Sequence, residues 1–251
     1  MKKIGLPLII ITVVVFSIGK VDASLINDFT LTSVDGSNNQ VLETRKLASF
    51  EGVSVSNAIH VVIVDDTYKG EITVNAPSNV LKSVKTVVEN DVLKIYLDKS
   101  VRLTNQQKIE VKIPHRKLRN ISLSGASKLK ASHSFKVEEF KFDISGASTV
   151  ELNLISNKII ADISGASIAT LSGNAQRIFA DVSGASVLKS SELKAASATI
   201  DVSGASTVKI WAIDELNVEA SGASSIKYKN TSNVRVKKKT SGASNVSSSK
   251  L

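Results

Sequence analysis

Five acidic side chains recur at one position of a repeating unit. Asp143, Asp162, Asp181, Asp201 and Glu219 each stand three residues before a glycine, in a series that Ser122 opens and Lys239 closes. A file of carboxylates could take up calcium or a similar cation, because hard cations are bound by carboxylate oxygens. If the units stack in register, neighbours about 4.8 Å apart in water repel by roughly 0.9 kcal/mol each. The residues two positions earlier, among them Lys141, Ile160, Phe179 and Thr199, supply no matching column of lysines. Calcium loops, however, gather denser ligand sets. The favoured reading is solvated carboxylates, some accepting bonds from Ser145, Ser164, Ser183 and Ser203, with no metal site and no cofactor.

Other reactive residue types are scattered. His60, His115 and His133 have no zinc-like spacing and are expected as surface histidines. The chain has no cysteine, hence no thiol nucleophile, no disulfide and no lipid-accepting cysteine. No serine sits in Gly-x-Ser-x-Gly, and no histidine follows His133. The glycines do not follow Gly-x-Gly-x-x-Gly, so neither nucleotide nor nucleic-acid binding is expected. No catalytic residue is assigned. Aromatics are few: Trp211 and Tyr228 fall near core parity and Phe179 on the outward parity, too few platforms to predict a sugar cleft. A second file, Lys130, Lys189, Lys209 and Lys227, is interrupted by Glu151 and Thr170 and reads as a wet face.

The elements that position these files are set by a tetrapeptide. Ser-Gly-Ala-Ser recurs around Gly125, Gly146, Gly165, Gly184, Gly204, Gly222 and Gly242, with a period of about twenty residues. Alternation around each copy has the β period of two. Two residues before the glycines stand Leu123, Ile144, Ile163, Val182, Val202, Ala220 and Thr240; four after them stand Leu129, Val150, Ala169, Leu188, Val208, Ile226 and Val246. Both columns are expected inside a β-solenoid with one coil per repeat, about seven coils in all. The glycines are expected at its corners, where the backbone must bend. Length changes are expected between copies, around Ser156-Asn157-Lys158 or Ser172-Gly173-Asn174.

Residues 1–23 read as a signal peptide: Lys2 and Lys3, an uncharged apolar run of about 16 residues, and Ala23 at a cut. The run is short of the roughly 20 residues of a membrane span, so no transmembrane span is expected in the mature chain. Residues 24–46 are a lead-in segment. Residues 47–117 are expected as an antiparallel β-rich half, with strands at Ile59–Val64, Glu71–Asn75, Val92–Leu97 and Ile109–Ile113. Asn79 is expected to cap a helical turn running to Lys85. Residues 118–244 form the repeats, and 245–251 a frayed tail. Lys238 and Thr240 at core parity suggest a polar closing coil. No membrane barrel is expected after the repeats.

The segments Asp143-Ile-Ser-Gly-Ala-Ser148, Asp162-Ile-Ser-Gly-Ala-Ser167, Asp181-Val-Ser-Gly-Ala-Ser186 and Asp201-Val-Ser-Gly-Ala-Ser206 carry a resemblance. With the signal peptide and the β-rich first half, the chain from about Leu47 to Ser244 resembles the head GIN domain family. Members are described as auto-transporter adhesin heads of unknown function. The resemblance implies an all-β, right-handed, single-stranded β-helix and attaches no catalytic residue.

The expected function is a non-catalytic exported β-solenoid, a binding, adhesin-like or structural module of the bacterial envelope. Location in the periplasm, at the outer membrane or on the cell surface is left open. The net charge of +9 suits anionic glycans, lipid headgroups or acidic partners, though dispersed lysines also serve solubility alone. Envelope glycans or proteins are the expected partners, and a homo-oligomer is left open. The alternative is a polysaccharide-active β-helix enzyme, a lyase or hydrolase, which needs a carboxylate or basic constellation in a groove.

Overall fold

Period-two alternation does become strand, and the strands stack as coils. The computed structural model describes residues 31–33, 39–98, 103, 108–229 and 234–249; the expected signal peptide lies outside them. The first half holds β1 (Leu31–Ser33), β2 (Gln40–Lys46), β3 (Gly52–Val55), β4 (His60–Val64), β5 (Glu71–Pro77), α1 (Ser78–Leu81), β6 (Val84–Glu89), β7 (Val92–Leu97) and β8 (Glu110–Pro114). The second holds β9 (Asn120–Leu123), β10 (Lys128–Ile144), β11 (Thr149–Ile163), β12 (Ile168–Val182), β13 (Val187–Val202), β14 (Thr207–Ala220), β15 (Ser225–Lys229), β16 (Arg235–Thr240) and β17 (Asn245–Ser249).

From β9 to β17 every pairing is parallel and follows the repeat. From β10 to β14 each coil is one long bent strand closed by one tight corner. Seven repeated corners bound about six turns, one fewer than expected. Both apolar columns point inward and are buried, apart from exposed Thr240 at the top. Burying such side chains contributes about 1.5–3 kcal/mol each for valine, leucine or isoleucine.

The corner has a repeated geometry. Gly165 has φ +74°, and a Cβ there would stand 2.5 Å from the Gly146 carbonyl oxygen of the coil below. Only glycine combines that φ with that approach. The amide of Ala166 donates to the Gly146 oxygen at 2.7 Å, and Ala185, Ala205, Ala223 and Ala243 repeat the bond one coil further each time. The second serine of the first six units turns inward: Ser148, Ser167 and Ser186 are fully buried. Ser186 Oγ donates to the Gly165 oxygen at 3.3 Å, whereas the hydroxyls of Ser127, Ser148 and Ser224 are buried without a partner.

The first corner differs. Ala126 also has positive φ, as do Asn57 and Ala58 in the layer below. The Gly125 oxygen accepts from the Ala58 amide at 2.8 Å, towards the N-terminal layer rather than away from it. The peptide ladder therefore changes direction between Gly125 and Gly146.

The first half contains the expected antiparallel pairs, β1–β2, β2–β5, β5–β8 and β6–β7. It also carries the parallel stack onward. β3 and β4 pair with β9 and β10 on one side and with β7 and β8 on the other. An earlier segment of chain is thus sandwiched between two later ones, and residue 117 separates no independent bodies. β5 and β6 close that end by lying antiparallel on β8 and β7, which covers edges that would otherwise recruit other chains.

Three local expectations need correction. Pro77, not Asn79, is the N-cap of α1, no side chain caps it, and the helix ends at Leu81. The tail expected to fray is strand over Asn245–Ser249, paired with β15, because Val246 continues the column over Ile226. Ser156-Asn157-Lys158 absorbs no length change: β11 and β12 stay in register across it. At the other expected place, β12 and β13 do slip between Thr170 and Ser172, beside Ser172-Gly173-Asn174, and further slips lie in β10 and β13.

Candidate functional site

The stack places the acidic file in register. Asp143 pairs with Asp162, Asp162 with Asp181, Asp181 with Asp201, and Asp201 with Glu219. The four aspartates and Glu219 are exposed. Burial, and then the charges of Asp162 and Asp201, push the Asp181 carboxyl up. The file ends on a cation: Lys239 Nζ lies 2.7 Å from Glu219 Oε1 and is held protonated by it. A shallow depression of about 350 Å³ runs beside Asp181, Asp201, Ser203 and Glu219. One carboxylate per coil makes a row, not a cage. Among the described residues no three His, Cys, Asp or Glu side chains converge as metal ligands.

The lysine file stands in register as well, Lys189 with Lys209 and Lys209 with Lys227. Below Lys189 it breaks, and there the coil ladder breaks with it. Ala131-Ser132-His133 of β10 stand opposite the single Leu152 of β11. Ser190-Ser191 of β13 stand opposite Leu171 of β12, and Ser191-Glu192-Leu193 have no partner in β14 between Ile210 and Trp211. These bulges border a groove of about 580 Å³ across β10, β11, β12 and β13. Lys130 and Glu151 pair across its edge at 2.9 Å, and Ser134 donates to Asn153 Oδ1 at 2.7 Å.

The three histidines do not meet in one site. His60 lies beside Lys128. His115 corrects the expectation of a surface histidine, being only 7% exposed among Phe50 and Tyr68. Its Nδ1 accepts from the Lys117 amide at 3.1 Å, so Nε2 carries the proton and donates to the Phe50 oxygen at 2.8 Å. Burial pushes this imidazole below its usual range, against the Phe50 hydrogen bond that raises it. His133 packs edge-on against Phe135 with both ring nitrogens buried and unpartnered. Trp211 is half-buried rather than core, with Lys229 Nζ 3.7 Å from its ring centre and Lys194 on the same ring. The groove was not foreseen. Its one signal is the long glycine spacing from Gly125 to Gly146 and from Gly184 to Gly204, which tells of extra residues without saying where they go.

A stack of in-register β coils with repeated outward files defines a β-solenoid domain. The family described as "putative auto-transporter adhesin, head GIN domain" matches residues 49–232, and the chain belongs to that family. Solved structures share the fold. A "putative adhesin" from Bacteroides fragilis is similar with TM-score 0.74 and 19% identity, covering 86% of this chain and 100% of that one. A "putative adhesin" from Parabacteroides merdae has TM-score 0.67 and 16% identity, covering 86% and 98%. A "putative lipid binding protein" from Parabacteroides distasonis has TM-score 0.64 and 20% identity, covering 86% and 99%. No curated protein matches the chain. Among the described residues no helix is long and apolar enough to cross a membrane.

Proposed function

We propose that this chain is an exported, non-catalytic β-solenoid that binds partners at the bacterial envelope as an adhesin-like module, or lends it structure. The observation that carries this reading is the register. Equivalent side chains from Asp143 to Glu219 stand in one row, and Lys189, Lys209 and Lys227 in another. Rows of repeated side chains on a stiff stack make a long recognition surface. Family membership and the adhesin descriptions of two solved relatives support it. The lipid-binding description of a third leaves the ligand class to be settled by this chain's own surface. Envelope glycans or proteins are the proposed partners, and the periplasm, outer membrane or cell surface the proposed location.

Fractionation of the native organism, with capture of envelope glycans and proteins on the chain from residue 24 onward, tests this. Enrichment with the envelope and saturable capture are expected. Recovery in the cytoplasm would overturn the reading. Turnover of a pectin- or alginate-like polymer, lost in Asp162→Ala or Asp181→Ala, would replace it by the enzyme.

A further inference from the structure

We infer that the groove across β10 to β13 is a binding site for a segment of uncharged polysaccharide, recognised by hydrogen bonds along its edge rather than by stacking. The inference rests on the binding reading above and gives it a place and a ligand class.

The position is the first reason. Three of the four slips in the coil ladder lie beside this groove, one in β10 and one on each side of β13; the fourth, at Ala195–Ser197 against β14, lies outside its lining. Extra residues that the coil does not need for closure are placed together there, Ser132-His133 on one wall and Ser191-Glu192 on the other. The lysine file also changes character there, giving Glu151 and Thr170 where neighbouring coils have Lys130 and Lys189.

The chemistry is the second reason. The walls carry hydroxyls, the amide nitrogen of Asn153, whose oxygen accepts from Ser134, and charges of both signs. Glu151 is paired with Lys130, while Glu192 and Lys189 stand exposed with no ion pair among the described residues. Donors and acceptors in near balance suit a polyhydroxylated chain, whose groups are both. An apolar peptide finds little anchor: among the described residues the large exposed hydrophobics are Val87, Tyr96, Ile155 and Phe179, none of which lines the groove, and its Leu152 and Leu171 are buried. A polyanion would meet Glu192 and Glu151 as well as the lysine. The groove crosses three coil spacings, about 14 Å, which is room for a short oligosaccharide rather than one sugar. Without an aromatic platform, affinity for one segment is expected near millimolar, raised by repetition along a polymer.

The test uses the chain from residue 24 onward with hexasaccharides of glucose, mannose, galactose and N-acetylglucosamine, followed by amide NMR. At least one is expected to shift signals in 131–134, 151–153, 170–172 and 189–192. The pair Asn153→Ala and Glu192→Ala is expected to weaken that binding by about tenfold, while Lys141→Ala on another face leaves it unchanged. Among the described residues Glu192 takes part in no hydrogen bond or ion pair, and it is exposed, so its variant tests recognition rather than folding, and unchanged thermal unfolding checks this. Silence of all four sugars at about 10 mM, shifts confined to another face, or a double variant that binds as the parent does would each overturn the inference. If the chain still captures envelope material in those cases, the groove is wrong and the binding reading stands. If it captures nothing, both fall. Shortened sugar products would keep the groove and end the non-catalytic reading.

Discussion

Gly165 and Ala126 show how much one backbone angle decides. At Gly165 a side chain would need φ +74° and would meet a carbonyl oxygen at 2.5 Å, and Gly184 repeats both. Gly165→Val and Gly184→Val are each expected to cost roughly 2–5 kcal/mol, from backbone strain plus overpacking. Denaturant unfolding reads this directly, and parent-like midpoints would sink the corner assignment. Ala126 is the reverse case, a non-glycine held at φ +66°. Ala126→Gly is expected to stabilise by up to about 1 kcal/mol, because relieving the left-handed strain outweighs the added freedom of the unfolded chain. Ala166→Gly, at a corner where only glycine has positive φ, is expected to destabilise by about 0.4–1 kcal/mol.

An element here is a coil, and its outward file carries the electrostatics. Asp181 stands between Asp162 and Asp201 with its carboxyl pushed up, first by burial and then by these neighbours. Asp181→Asn removes repulsion from both sides, but both sides are wet. The expected gain at pH 7 is therefore at most about 1 kcal/mol, and about 1 M salt should erase most of it. A loss of stability instead would show that the carboxylate is doing structural work. Millimolar calcium is expected to move Tm by less than about 2 °C, since a row with one carboxylate per coil offers few ligands. A larger shift, absent in Asp162→Asn with Asp181→Asn, would restore the cation reading.

At the scale of the whole molecule, the non-sequential stack ties the halves together. β3 and β4 lie directly beneath β9 and β10, so removing residues before 118 strips partners from both strands and uncovers Ile121, Leu123 and Leu129. The fragment 118–251 is expected to aggregate or lack a cooperative transition, whereas the chain from residue 24 unfolds in one. A monomeric, cooperatively unfolding fragment would refute this unity. The molecule is also expected to lose stability on mild acidification. Burial lowers the pKa of His60, His115 and His133 in the fold. The unfolded chain then binds more protons below its histidine pKa of about 6.5. Their contribution is present above that value and is lost as pH falls from it towards the lower folded values. Tm at pH 5 is expected below Tm at pH 7, and His115→Gln should narrow the gap. An unchanged gap would exclude His115 as a contributor.

The sequence by itself determined the repeat, the two buried columns, the corner glycines and the solenoid class. Those depend on period-two alternation and on a residue whose backbone freedom shows in its identity. Val92–Leu97 is strand over the limits its alternation predicts. Only the tertiary structure decided where the extra residues of the longer repeats go. Glycine spacing counts them, but coil closure and core volume choose the bulges at Ser132-His133 and Ser191-Glu192. It also decided the burial of His115, which depends on Phe50 and Tyr68 from distant segments. The out-of-order layer of β3 and β4 was equally hidden, because parallel pairing between remote strands leaves no local trace in either.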